Sequence, residues 1–137
     1  VPIKNFHIPG LILGGSIEAQ EIETITSQID LPVTVLSLMG LDAEHPMIGR
    51  DMSVLDKSTQ GRAMMQFEQN YAWMENNEVV ILRPQKPSVF GVYNPQSKSL
   101  AVSDHFSIER KAELQQSALA NALLPATLYR EKQYDLP

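Results

Sequence analysis

The chain contains no cysteine. That excludes disulfides, thiolate metal sites and cysteine nucleophiles, while leaving the redox compartment open. No apolar run within these residues approaches the ~20 that a membrane-spanning helix needs, and none follows a charged start as a signal segment does, so a soluble piece is expected. Basic charge is scarce: 11 Lys and Arg stand against 16 Asp and Glu, for a net charge of -5. A balance of that sign gives no field to hold nucleic acid or an anionic membrane face. Internal repeats and low-complexity tracts are also missing.

What is present fits one ordinary domain. A chain of 137 residues is long enough to bury about two thirds of its unfolded surface. It begins with Val1 rather than methionine and enters an apolar segment almost at once. An excised or processed fragment is therefore expected.

The segment "FHIPGLILGG" is a short apolar run closed by glycines, too short for an average helix, and predicts a buried strand at about Ile8 to Leu13. Continuous rather than alternating hydrophobicity suits a strand covered on both faces, as in a parallel sheet. "SIEAQEIETIT" reads as a loop with room for one helical turn. In "SQIDLPVTVLSLMG", Asp30 is placed to cap a helix, Pro32 suits its first turn, and Gly40 supplies the stop. Val33, Leu36, Leu38 and Met39 give that helix the apolar surface of a mostly buried element. A loop with Pro46 and Gly49 follows.

From Arg62 the period changes. "RAMMQFEQN", "YAWMEN", "EVVILRP", "SVFGVYN" and "SLAVSD" are short apolar or alternating runs separated by turn formers such as Asn76-Asn77 and Asn94-Pro95, which predicts an antiparallel meander. The last stretch has high helix propensity, with Ile108, Ala112, Leu114, Ala118, Ala122 and Leu123 near helical spacing. Pro125 is expected to kink or divide that helix. The order strand, helix, meander, helix predicts an α/β class: residues 1–60 as the end of an α/β core and residues 61–137 as an antiparallel sheet with a terminal helix, the boundary falling in 50–61.

Few residues carry chemistry. His7, His45 and His105 are far apart, and none has the short spacing of a helix-borne metal site. His7 abuts a predicted strand, but at its amino end, whereas ligands of open sheets gather at carboxyl ends. Gly14 and Gly15 do lie at the carboxyl end, where a backbone can approach a phosphate, although "GGS" is equally an ordinary turn. Asp42, Glu44, Asp51 and Asp56 crowd one loop, with a spacing that matches no calcium-binding pattern, and read as solvated surface. Ser16, Ser27 and Thr34 lack a motif that activates a hydroxyl and read as caps and packing. The aromatics Tyr71, Trp73, Phe90 and Tyr93 fall in the meander, where cross-strand packing is their common use and stacking on a sugar or base the rarer one. No residue is assigned a catalytic, cofactor-binding or metal-ligating role.

Taken together and in order, "FHIPGLILGG", "TSQIDLPVTVLSLMGLDAEHPMIGRDM" and the looser "AWMENNEVVILRP" resemble the carboxyl-terminal third of sulfatase-like, alkaline-phosphatase-superfamily transferases, specifically the lipoteichoic acid synthase and phosphoglycerol transferase branch. The likeness is specific over about Ile3 to Met52. Gln28, Asp30, Thr34, Gly40 and Gly49 fall within it and read as structural supports. One departure stands out: the family usually places proline just before the threonine, where this chain has Val33 and carries Pro32 one residue earlier.

The resemblance implies a fragment of an alkaline-phosphatase-like α/β/α domain, in which the helix after "SQID" packs on the central sheet with Leu36, Leu38 and Met39 as its buried face. It implies a parent enzyme that holds manganese or another divalent cation with carboxylates, a histidine and a nucleophilic threonine, all upstream of this stretch. The Asp-His pair that the family places before the "HIPGLILGG" strand is not found there, and Asp104-His105 lies beyond the meander, outside the motif. The parent is expected in the inner membrane with this region on the extracytoplasmic, periplasmic side, acting on a lipid-linked or glycan substrate. The fragment itself is expected to carry no cofactor, to be inactive alone, to bind no nucleic acid, to partner the remainder of the catalytic domain and, isolated, to form homo-oligomers through unpaired strand edges. The competing expectation is a non-catalytic binding or oligomerisation module.

Overall fold

The computed structural model of the chain describes residues 2–14, 17–56 and 58–134. Gly15 and Ser16 lie outside the described residues. The elements are a 3₁₀ turn at Ile3–Phe6, helix α1 (Asp30–Leu38), a second 3₁₀ turn at Met52–Val54, strands β1 (Arg62–Phe67), β2 (Asn70–Glu75), β3 (Glu78–Arg83), β4 (Lys86–Asn94) and β5 (Ser99–Val102), and helix α2 (Ile108–Arg130).

The five strands pair antiparallel in sequence order, which is the meander expected from the alternating runs. Phe67 faces Asn70, Glu75 faces Glu78 and Arg83 faces Lys86, so two-residue turns close the first three hairpins. Each of these turns holds one residue in the left-handed region: Glu68 at φ 55°, Asn76 at 53° and Gln85 at 55°. Asparagine tolerates that region; glutamate and glutamine occupy it at a cost.

Alternation along the strands divides the core in two. Ala72, Met74, Val79, Ile81 and Tyr93 line one sheet face, where Ile3, Phe6 and Ile25 cover them. Trp73, Val80 and Phe90 line the other face, where α2 seals them with Leu114 and Ala118. Each large apolar side chain closed off this way contributes about 1.5–3 kcal/mol.

Ser107 caps α2, its Oγ accepting from the Arg110 N–H at 3.1 Å. The helix runs undivided through Pro125 to Arg130, correcting the expectation of a break there. Pro125 removes its own donor and crowds the Asn121 carbonyl, and it sits on the exposed final turns of the helix. Of the apolar face expected for α2, only Leu114 and Ala118 are sealed, and Ile108 is 82% exposed. At ~1.5 Å per residue this helix outruns the β2 and β3 strands it lies against, so its ends overhang.

Two expectations about the first 60 residues are overturned within this chain. Residues 8–13 form no strand; Leu11 and Leu13 are 82% and 84% exposed. Leu38 and Met39 of the α1 region are exposed too, and the buried residues of α1 are the polar Asp30 and Thr34. A doubly covered strand needs neighbours on both edges and both faces. Among the described residues, nothing lies against this segment in that way.

Candidate functional site

The most ordered polar cluster forms where α1 begins. Ser27 and Asp30 bind reciprocally: the Ser27 N–H donates to Asp30 Oδ2 at 2.9 Å, and the Asp30 N–H donates to the Ser27 carbonyl at 2.9 Å. Asp30 thus reaches back from the first turn to the Ser27 N–H rather than acting as the N-cap, which falls on Ile29 with no capping side chain, while Ser27 Oγ accepts from the Met64 N–H at 3.3 Å. Its other oxygen, Oδ1, accepts from the Arg50 N–H at 2.7 Å. Two guanidiniums complete the surroundings, with Arg62 Nη2 3.6 Å from Oδ1 and Arg50 Nη2 4.0 Å from Oδ2. The carboxylate is fully sealed, with 0% exposure.

One turn later Thr34 ties the same segments. Its hydroxyl donates to the Asp30 carbonyl and accepts from the Met52 N–H, both at 2.8 Å. Residues 50–52 are therefore laid along the first turns of α1 by side chains of α1. Gly49 permits that contact. A Cβ there would sit far inside van der Waals distance of the Ile29 carbonyl oxygen and 2.9 Å from the Asp30 Cα. Two backbones meet directly, and only hydrogen fits between them.

Gly40 acts at the opposite end. It takes φ 68°, its N–H donates to the Ser37 carbonyl, and the Leu41 N–H reaches back to the Leu36 carbonyl, the paired bonds of a Schellman stop. Gln28 contributes through its backbone carbonyl, which accepts from the Leu31 N–H, while its side chain is exposed. Of the five motif residues, the fold thus joins Asp30, Thr34 and Gly49 in one knot and sets Gly40 and Gln28 outside it.

Arg50 and Arg62 carry the knot outward. Arg50 Nη1 donates to the Gln60 carbonyl at 2.8 Å and Arg62 Nη2 to the Ile48 carbonyl at 3.1 Å. Burial, then the charge of Arg62, lowers the Arg50 pKa, with Asp30 opposing. Arg62 also lies over the Trp73 ring, 6.0 Å from its centroid. Trp73 Nε1 donates to Glu75 Oε1 at 2.9 Å, and Arg110 of α2 binds Glu75 Oε2 at 2.9 Å. Arg110 further grips Glu78 and Glu113, so one guanidinium meets three carboxylates. Burial acts to raise the Glu75 pKa, but bonds from Trp73, Arg110 and Ser117 outweigh it and hold it below the usual range. Burial likewise acts to lower the Arg110 pKa, and the Glu78, Glu113 and Glu75 partners push it up instead.

Arg50, Arg62, Arg110 and Glu75 are not candidates on sequence alone. The available signals were a glutamate closing the apolar run "YAWME" on the same side as the tryptophan, and an arginine directly after Gly49.

The other candidates serve local structure. Asp51 caps the second 3₁₀ turn by accepting from the Ser53 N–H and hydroxyl. Asp56 holds a turn through Ser58 and Thr59. His7 Nδ1 pairs with the Tyr93 hydroxyl at 3.3 Å. His45 lies in the loop before Arg50, its Nδ1 buried without a hydrogen-bond partner among the described residues. His105 is exposed before α2, and Asp104 next to it is an ion-pair partner of Lys111 at 3.7 Å. Gly14 faces the Ile17 side chain. Among the described residues no three His, Asp or Glu side chains converge as a metal site. The residues present therefore do not make up the divalent-cation site that the resemblance implies for the parent. The Asp30 knot is sealed from solvent, and it joins the start of α1 to residues 50–52 and to Arg62.

A helical segment feeding a five-stranded antiparallel sheet backed by a terminal helix matches part of an alkaline-phosphatase-like domain. Consistent with this, the chain is similar to a solved protein in the alkaline phosphatase superfamily from Vibrio parahaemolyticus, with a TM-score of 0.87 and 34% sequence identity over 100% of the present chain. The chain spans 32% of that protein's chain, about a third of its length. No protein-family model matches the chain. Among the described residues, no helix is long and apolar enough to cross a membrane.

Proposed function

We propose that this chain is the carboxyl-terminal portion of a metal-dependent phosphoglycerol transferase or sulfatase-like hydrolase of the cell envelope, in the lipoteichoic acid synthase and phosphoglycerol transferase branch. The observation that carries the reading is the 34% identity, over the entire chain, to an alkaline-phosphatase-superfamily protein. The branch rests on the ordered motifs "SQIDLPVTVLSLMGL" and "HPMIGRDM", whose Asp30, Thr34, Gly49 and Arg50 form the knot at α1.

In this reading the chain supplies scaffold. The nucleophile and the manganese or other divalent cation belong to the preceding part of the domain, where the metal lowers the barrier to transfer by stabilising developing charge. The parent sits in the inner membrane with this region on the periplasmic side, and its substrate is lipid-linked or a glycan. The remainder of the catalytic domain is the partner of this chain.

The test is an assay of the natural polypeptide that carries these residues, with manganese, on a phosphodiester, a sulfate ester and a lipid carrying a phosphoglycerol headgroup. Turnover of the lipid that chelation abolishes, with none from residues 1–137 alone, is the expected result. A polypeptide that binds no divalent ion and turns over none of the three overturns the reading.

A further inference from the structure

Helix α2 carries two apolar sides. The first, around Leu114 and Ala118, is sealed against β2 and β3. The second lies opposite: at ~100° per residue, Ile108, Ala112, Gln116, Leu119, Leu123 and Ala126 fall within about 40° of one line along the helix, and all are exposed. A surface helix normally turns charged and polar residues to that side. Here residues 114–129 carry no charged side chain, and Ile108, Leu119 and Leu123 are each more than half exposed. Among the described residues the amino-terminal segment, through Ile3, Phe6 and Ile25, packs on the opposite face of the sheet, away from this stripe. From Ala112 onward the stripe advances by four, three, four and three residues. That is the spacing of a helix-pairing seam, with Gln116 as its one polar member.

We propose that α2 pairs antiparallel with α2 of a second copy of the protein along this seam. Charge complementarity selects both the occupant and the orientation. The start of the helix presents exposed Glu109 beside the seam, because Arg110 turns inward onto Glu75 and Glu78 and Lys111 lies over the Phe90 ring. The other end presents Arg130, whose guanidinium is exposed and meets only its neighbour Glu131 at 3.7 Å. With Leu119 of each copy set against Leu123 of the other, Arg130 comes opposite Ala112. That small side chain leaves room for the guanidinium beside Glu109, one turn away. The same order sets each helix start beside the partner's helix end, which the dipoles favour. A parallel pair instead sets Glu109 against Glu109 and Arg130 against Arg130. A lipid surface offers no such matched charges, and the net charge of -5 disfavours an anionic one. One helix pair about 35 Å long buries less than a standard interface, so the dimer is reversible and depends on concentration. The proposal uses neither strand edges nor the reaction proposed above.

Sedimentation of the natural polypeptide that carries these residues, over a concentration series, tests the pairing. A monomer–dimer equilibrium is expected, and Leu123→Glu weakens it at least ~10-fold, since the seam then buries a charge without a partner. At dilution the same variant keeps the urea midpoint of the parent, because residue 123 is more than half exposed in the single copy. Glu109→Lys and Arg130→Glu each weaken the dimer, and the two together restore it, as the antiparallel order requires. A monomer at every concentration overturns the proposal. So does a dimer that Leu123→Glu leaves intact, or a double exchange that fails to restore it. Flotation with phosphatidylcholine vesicles in place of self-association, abolished by Leu123→Glu, also overturns it, because the occupant is then a lipid surface. None of these readouts needs metal or substrate, so a dimer without turnover refutes the proposed reaction and leaves the pairing standing.

Discussion

The Arg50 backbone N–H donates to Asp30 Oδ1 at 2.7 Å, joining residues 20 positions apart in sequence. With the Ser27 N–H and two guanidiniums on the same carboxylate, Asp30 satisfies donors from three separate segments at no solvent exposure. Removing it strands buried amides and leaves two positive charges together. Asp30→Ala is expected to lower unfolding free energy by about 3–5 kcal/mol, the cost typical of breaking one side of a buried ion pair. Urea denaturation followed by Trp73 fluorescence measures it; a loss under about 1 kcal/mol refutes the central role given to this carboxylate.

Gly49 and Gly40 are predicted to differ in kind. Gly49→Ala drives a methyl into the Ile29 carbonyl, and backbone does not move aside as a side-chain tip does, so a loss of about 3 kcal/mol or more is expected. Gly40 has open space around its Cβ position and φ 68°. Gly40→Ala meets only the left-handed penalty, about 1 kcal/mol. Thermal unfolding of the two variants side by side checks the order, and equal losses contradict it.

Much of this architecture was legible in the sequence, and the reasons are local. The strands of the meander were marked by short apolar or alternating runs, and some of their turns by turn formers such as Asn76-Asn77, because side chains of period two and two-residue turns are properties of neighbours in the chain. The Asp30 position is visible in the sequence as well, but its role is not: it stands inside the first turn rather than at the cap, and one of its partners, Arg50, lies 20 positions away. Residues 8–13 and the outer side of α1 were read as buried. Hydrophobicity reports that a residue is fit for burial, and in this chain nothing described covers these ones. Arg62 and Arg110 stayed hidden because their partners Asp30 and Glu75 come from distant segments, which no window of sequence brings together.

The acid limb of stability is expected to depend on Glu75. Its pKa in the fold lies below the ordinary glutamate value of 4.5, so the folded state holds its proton less tightly than the unfolded chain does. The stabilisation is complete above pH 4.5 and is lost as pH falls from there through the depressed value. Glu75→Gln should therefore flatten the decline of the urea midpoint below pH 4.5. Arg110→Met, which removes one of the partners that hold the pKa down, should move the decline to higher pH. An unaltered acid profile in both variants contradicts this account.

Glu68 offers a gain. It turns the first hairpin at φ 55° without any packing that demands its side chain, since its neighbourhood is exposed. Glu68→Gly relieves a left-handed strain of roughly 1–2 kcal/mol against a glycine entropy cost of roughly 0.5–1 kcal/mol. A net stabilisation of about 0.5–1 kcal/mol is expected from thermal unfolding. A fall in midpoint shows that the turn prefers the larger residue.

Arg62 lies between Asp30 and Trp73, and Trp73 leads through Glu75 to Arg110. That sequence of touching groups passes from α1, along the sheet, to α2, with no water required at any step. The two helices are riveted to the strands by one continuous seam, so the amino-terminal segment cannot be peeled away as a loose flap. A pull on α1 is therefore carried through Arg62, Trp73 and Glu75 to α2.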